Sequence, residues 1–368
     1  MSKAFGVGCF HFGYKKLLPF EFDSSTYGPA VSKALGALSA VSGIDVSLDE
    51  YSHYKVTVED EIAPLPDGDF FPSISFLKIE FSVFIPVRIQ QEMFPGENLG
   101  SRIGTERFQV SIRHGFYGPI AFVECVDPTE RCDPSSAVRL VRDYMSREFS
   151  KQSLPLTFEC MGPSPFHADF FVREGEVSEG EVQTKEIEQR GYNEIIFSYN
   201  SSNSPEDTLE FIYDELSHEL DLFYAIERHR VQMMHQGHEL VNEWKSLQGE
   251  VSTRPSMFNV RRKFRIHRAA RDLVLSALSL QAEFDVRKRE VSENVTQNYG
   301  KGTPRYVEHY VREAAEELPN YPIESILEWA RHVEEGSFKL AEIIAVVCSA
   351  LGGGIIGSLM TLLTSNPK

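Results

Sequence analysis

The sequence predicts an α+β protein in three parts: a mostly antiparallel-sheet N-terminal domain, a long all-α hairpin or stalk, and one C-terminal transmembrane helix. Three observations predict this. Twenty of the 26 phenylalanines precede residue 201, in alternating runs that suit half-buried strands. At the polar linker Tyr199 to Pro205 the pattern switches to helical periodicity. The stretch Ile343 to Leu363 is 21 residues long and carries no charge.

The first strand is expected around Phe5-Gly6-Val7-Gly8-Cys9, whose two glycines lack the rest of a dinucleotide fingerprint. A weak Ala-rich helix is expected over Pro29 to Ser42. Ile79, Phe81 and Val83 alternate with Lys78, Glu80 and Ser82. Phe108, Val110 and Ile112 alternate with Gln109, Ser111 and Arg113, and Leu156, Phe158 and Cys160 repeat the pattern. His114 to Pro119 reads as the hairpin turn between two such strands. Asp133 caps a helix, Pro134 suits its first turn, and Val138, Val141, Met145 and Phe149 follow at helical spacing. Strands outnumber helices and do not alternate with them, which favours an antiparallel sheet over residues 1–200.

Residues 205–335 form the expected helical domain. Ser204-Pro205-Glu206-Asp207 starts the first arm, about Glu206 to Leu247, with Leu209, Tyr213, Leu216, Leu220, Phe223, Met234, His238 and Val241 near one stripe. The second arm, about Ser256 to Asn298, carries Val260, Phe264, Val274, Leu278, Phe284, Val291 and Val295. Each arm of roughly 40 residues spans roughly 60 Å, and Gly249 with Pro255 marks the junction, so an antiparallel hairpin follows. Shorter helices are expected near Pro304 to Leu318 and Ile323 to Glu334.

The expected transmembrane segment is 340–364. Twenty residues cross the roughly 30 Å hydrocarbon core of a bilayer, and a main body in the cytoplasm with a single pass is the expectation. Ala345, Ser349, Gly353, Gly357 and Thr361 recur every four residues, a ribbon of small side chains that lets helices approach closely in lipid. With one span per chain, the partner helix comes from another copy, so the expected partners are the lipid bilayer and the chain itself as a homo-oligomer. Glu342 lies on the same side near the membrane entrance, where it lines a shared axis or faces water.

Charge and motifs narrow the function. Lys and Arg number 37 against 54 Asp and Glu, a formal net charge of −17, so bulk nucleic acid and anionic lipid are repelled unless the cations concentrate somewhere. They do so once: Arg261, Arg262, Lys263, Arg265, Arg268 and Arg271, with Arg254, form an acid-free cationic stretch. This is a candidate site for an anionic ligand, nucleic acid or partner protein. The competing role is ion pairing, with the acids of the first arm (Glu206 to Glu227) or with those of a neighbouring subunit.

Five scattered cysteines without a CxxC pair indicate a reduced compartment, and Met1 to Phe20 holds no apolar run of signal-peptide length. Glu215-x-x-His218 is half of a di-iron pattern without its second copy. His235 and His238 lack a third ligand, so no metal and no cofactor are expected. Hydrolase, P-loop and zincin motifs are absent, and Cys160 with His167 and Asp169 is only a sequence-local nucleophile candidate, so no catalytic residue is assigned. The expected function is a membrane-anchored oligomeric effector whose cytosolic sensor domain and stalk control a pore-forming or membrane-perturbing helix, as in antiviral defence. A tail-anchored scaffold and a membrane-tethered enzyme acting through residues 1–200 are the alternatives.

Overall fold

The computed structural model describes residues 3–335 except 15–19, 49–54, 59–76, 98–101, 116–117, 129–131, 153–155, 161–165, 179–180, 190, 253–259 and 300–304. The elements, in chain order, are β1 (Lys3–Gly8), β2 (Phe10–Tyr14), β3 (Phe20–Asp23), α1 (Ser24–Gly36), β4 (Val41–Leu48), β5 (Lys55–Val58), β6 (Leu77–Phe84), α2 (Val87–Met93), β7 (Arg107–His114), β8 (Pro119–Cys125), α3 (Pro134–Ser150), β9 (Leu156–Cys160), β10 (Ala168–Glu174), β11 (Val182–Ile187), β12 (Asn193–Tyr199), α4 (Pro205–Ser252), α5 (Val260–Asn298) and α6 (Glu308–Glu316). Residues 323–335 are also helical and are called α7 here. The chain divides into two units: Met1–Glu227 with Val295–Arg312, and Arg228–Asn294 with the chain from Glu313 onward.

The first unit is built on an eight-stranded sheet in the order β11-β12-β10-β1-β8-β7-β6-β4. Every pairing is antiparallel except β10 with β12, as alternation without intervening helices predicts. The β7–β8 hairpin turns where expected, with His114 opposite Pro119. One face carries Ile79, Phe81, Val83, Phe108, Val110, Ile112, Ala121, Val123 and Cys125, all buried in one core with Leu140, Val141, Met145 and Phe149 of α3. At the start of α3, the Asp133 side chain accepts the Ser136 N–H at 3.0 Å, and Pro134 needs no partner for a missing N–H. Gly6 explains how closely α3 approaches β1. A Cβ there would come 2.7 Å from the Pro134 carbonyl oxygen and from the Val138 side chain. The glycines of the first strand therefore serve helix-on-sheet packing.

The opposite face holds a stack of aromatic rings. Phe5 stacks on Phe170 at 4.8 Å between centroids, and Phe122 lies 4.3 Å from Tyr213 of α4. Four rings this well buried contribute about 1.5–3 kcal/mol each.

The expected helix over Pro29 to Ser42 is displaced. Helix α1 begins at Ser24 and ends at Gly36, and Val41 opens strand β4. Val41, Ile44 and Val46 are β-branched and pack against the core, and burial on a sheet outweighs the helix propensity of the neighbouring alanines. Gly43, at φ +60°, absorbs a register shift between Ser42 and Asp45.

The second unit packs part of α4, most of α5 and α7 around Met233, Leu240, Leu247, Leu273, Leu280, Phe284, Ile326 and Leu327. Both arms are found, at 48 and 39 residues. Most of the expected stripe is buried, with Leu209, Tyr213, Leu216, Leu220 and Phe223 on α4 and Phe284, Val291 and Val295 on α5, but other positions depart from it. Met234 is 41% exposed, and Met233 takes the core position instead; Phe264 and Leu278 are 60% and 40% exposed, while Ala270, Leu273, Ala277 and Leu280 turn inward. Small and medium side chains fill the inward positions because α7 packs closely there. Gly237 is buried against the Tyr321 ring, which a Cβ at 237 would overlap.

Candidate functional site

The acids at the start of α4 have their partners within the first unit. The residues that alternate with the β6 and β7 core positions face this helix. Lys78 pairs with Glu210 and, at 3.1 Å, with Glu80; Arg113 pairs with Glu210 at 3.0 Å and with Asp214. Lys3 reaches Glu124 at 3.1 Å and Glu206 at 3.6 Å. Burial pushes the Glu210 carboxyl up, but the Lys78 and Arg113 hydrogen bonds outweigh it and hold the group below its usual value. The Asp221 carboxylate lies against Gly115 of the β7–β8 turn.

Glu219, which the sequence does not single out, is buried on α4. It accepts the Tyr306 and Val307 N–H groups at 2.7 and 3.0 Å and the Tyr299 hydroxyl at 3.1 Å. Its carboxyl is nonetheless raised, because burial outweighs those three donors. It ties the entry of α6 to α4, and no local pattern in the sequence announces a link over so many residues.

Among the described residues, the carboxylates paired with the basic segment of α5 are Glu250 and Asp272, not the acids at the start of α4. The six candidate residues of that segment split by helix face. Arg262 donates to the Glu250 carbonyl, and Arg265 lies 3.3 Å from the Glu250 carboxylate, which ties the two arms together beside their connection. Arg268 has a 3.9 Å contact with Asp272 one turn on, and its side chain is 86% exposed. Arg261, Lys263 and Arg271 have no ion pair with a carboxylate among the described residues. Arg261, Arg265, Arg268 and Arg271 point to solvent beside the exposed Phe264.

This arrangement suits a charged protein surface better than a pocket for a small anion. The concavity next to it, between α4 and α5, is lined by Glu243, Glu250 and Asp272 with Asn242, Ser246 and Ser276. An anion is repelled from that cleft, so it meets the arginines only on the helix ridge.

The histidines do not converge. His218 is exposed, His235 pairs with Glu239 at 3.7 Å, His238 stacks edge-on to Tyr321, and half-buried His229 is pushed down by burial and by Arg287. No group of three metal-ligating side chains occurs among the described residues.

The nucleophile candidates are occupied differently. Cys160 is exposed at the end of β9 and interacts with Arg142, whereas the His167 ring lies edge-on to Tyr192. Asp169 accepts the Ser135 N–H at 2.8 Å, and burial together with Asp133 pushes it up to about 6. Burial pushes the Cys9 thiol up to about 12, which leaves it protonated and unreactive at neutral pH. Cys125 is raised too, first by its hydrogen bond with Cys132 and then by burial.

Glu342, Ala345, Ser349, Gly353, Gly357 and Thr361 lie outside the described residues. Among the described residues no helix is long and apolar enough to cross a membrane. No protein-family model, curated protein or solved structure matches this chain.

Proposed function

We propose that this chain is a membrane-anchored oligomeric effector. In this reading the sheet unit senses a ligand, nucleic acid or partner protein in the cytoplasm, and the helical unit transmits that event to a single C-terminal span. The span then forms a pore or perturbs the bilayer, an activity suited to antiviral defence. The observation that carries the reading is the uncharged run Ile343 to Leu363 with its five small residues in strict four-residue register. In lipid there is no hydrophobic drive between helices, so such a ribbon has value mainly where helices touch each other.

The test is ion release from liposomes reconstituted with the purified oligomer. The wild-type protein should release small ions. Gly353→Leu with Gly357→Leu should insert equally well yet lose most of the release, because two isobutyl groups push the helices apart. Tight liposomes with wild-type oligomer present, or equal leakage from the leucine variant, would contradict a pore. The second outcome would leave the span as an anchor.

A further inference from the structure

The outward face of α5 carries a regular stripe. Phe264, Arg268, Arg271, Leu275, Leu278, Ala282, Asp285 and Arg289 follow one another at alternating steps of four and three residues, and every one is exposed. Phe264, Leu275 and Leu278 are 60%, 56% and 40% exposed, far from the inward heptad of Ala270, Leu273, Ala277, Leu280 and Phe284. A helix with two opposed heptad faces, one of them buried within its own unit, is built to hold a helix on each.

The N-terminal part of that outer stripe is cationic, and its charge has a complement on the same unit. On α7, Glu324, Glu328 and Glu335 are exposed and share one face, with Arg331 between them. None of the three has an ion pair within the described residues. The levels also agree. Glu334 of α7 meets His267 of α5, with its carbonyl 3.3 Å from the ring, and Tyr321 packs on Phe284, so α7 runs antiparallel to α5. In two copies set side by side at the same height, Glu335 comes level with Arg265 and Arg268. Glu328 then comes level with the stretch from Arg271 to Leu275, and Arg331 comes level with Asp272.

We infer that the helical unit binds a second copy of the chain head-to-tail, the Phe264-Arg268-Arg271-Leu275 stripe of one α5 docking on the Glu324-Glu328-Glu335 face of the next copy's α7. The inference rests on the proposed oligomeric membrane reading and names the contact that builds the oligomer. Because the two surfaces differ, the contact is heterologous and closes into a ring when the rotation per copy divides a full turn. Copies at equal height place the Glu335 ends of their α7 helices on the same side, as insertion of every copy into one bilayer requires. The acids at the start of α4 do not compete, being paired with Lys3, Lys78 and Arg113.

The experiment is mass determination of the full chain in mild detergent, with circular dichroism to confirm folding. Arg268→Glu with Arg271→Glu, and separately Glu328→Arg with Glu335→Arg, should each reduce the wild-type oligomer to single chains. An equal mixture of the two variants should re-form assemblies larger than single chains, because the intact basic stripe of one meets the intact acidic face of the other and the two reversed faces are again opposite in charge. An oligomer that survives either pair of reversals, or a mixture that stays monomeric, overturns the inference. If only the arginine reversals dissociate the protein, the stripe pairs with something other than α7. If they leave the oligomer intact but abolish flotation with phosphatidylglycerol vesicles, the stripe is a lipid-headgroup site. Both results count against the inference while the membrane reading stands. A wild-type chain that is monomeric and absent from membranes overturns both.

Discussion

Individual side chains in this protein are legible from sequence where their role is local. Asp133 and Pro134 announce a helix start because a cap needs only three neighbouring residues. Gly6 is not legible in that way, since its reason is Val138 and Pro134 more than 120 positions away. Gly6→Ala should cost about 1–3 kcal/mol of stability in urea denaturation, as overpacking of a tight helix-on-sheet contact does. An unchanged midpoint would mean that α3 can lift at no cost.

Asp169 supports a second prediction at this scale. Burial, Asp133 and, to a smaller degree, Glu194 raise its carboxyl to about 6, against 3.8 for an ordinary aspartate, while the Ser135 N–H opposes the rise. The folded state therefore holds a proton that the unfolded chain releases. Its contribution to stability is complete below about pH 4 and is lost as pH rises to about 6. His114, which burial and His11 push down to about 3, works in the opposite direction: its contribution is full above pH 6.5 and is lost on acidification. Comparing wild type with Asp169→Asn cancels the His114 effect. The variant keeps an acceptor for Ser135, should have a higher Tm at pH 7.5, and should lose that advantage by pH 4. Identical Tm profiles for the two proteins would refute the assignment.

Among the elements, period told strand from helix, and phase held along the first half of α4 and the second half of α5 but not between them. Strands β6, β7 and β9, and helix α3, sit where alternation and spacing put them. Helix α1 slipped because Val41 to Val46 is claimed by the sheet. On α5 the expected positions Phe264 and Leu278 face solvent and Leu273 and Leu280 are buried, whereas Phe284, Val291 and Val295 are buried as expected. The positions turned inward share one core with Ile323, Ile326 and Leu327 of α7, a neighbour that the pattern of α5 alone does not reveal. Gly237 makes the same point on α4: it is there to receive the Tyr321 ring. Gly237→Ala should loosen α7 selectively. Hydrogen exchange of residues 323–335 should accelerate by about tenfold or more, which corresponds to about 1.4 kcal/mol of local stability, while β7 and β8 remain protected. Uniform loss of protection across the chain would show that α7 does not open on its own.

At the level of the whole molecule, the charge distribution divides the work between the units. The acids at the start of α4 neutralise the sheet's lysine and arginine within the first unit, and the arginines of α5 remain on the surface of the second. A reading that sees only the hairpin cannot separate these assignments, because both helices are long and the acidic start of α4 lies far in sequence from the basic start of α5. Of the candidate site, the location of the cations was readable, whereas their split between hairpin closure and outward stripe depended on helix phase. Exposed arginines on a ridge beside an acidic cleft favour a partner helix over a small anion, and net charge makes the choice sharper. A chain at −17 gains little from general nucleic-acid affinity.

The central claim is that the chain works as an oligomer held in a membrane by the run Ile343 to Leu363. The most direct measurement is membrane fractionation with mass determination in detergent, comparing the full chain with one truncated after Gly336. The account predicts a defined oligomer in the membrane fraction for the full chain and a soluble species for the truncated one. If both are soluble, the last segment does not anchor the protein, and the effector reading is wrong.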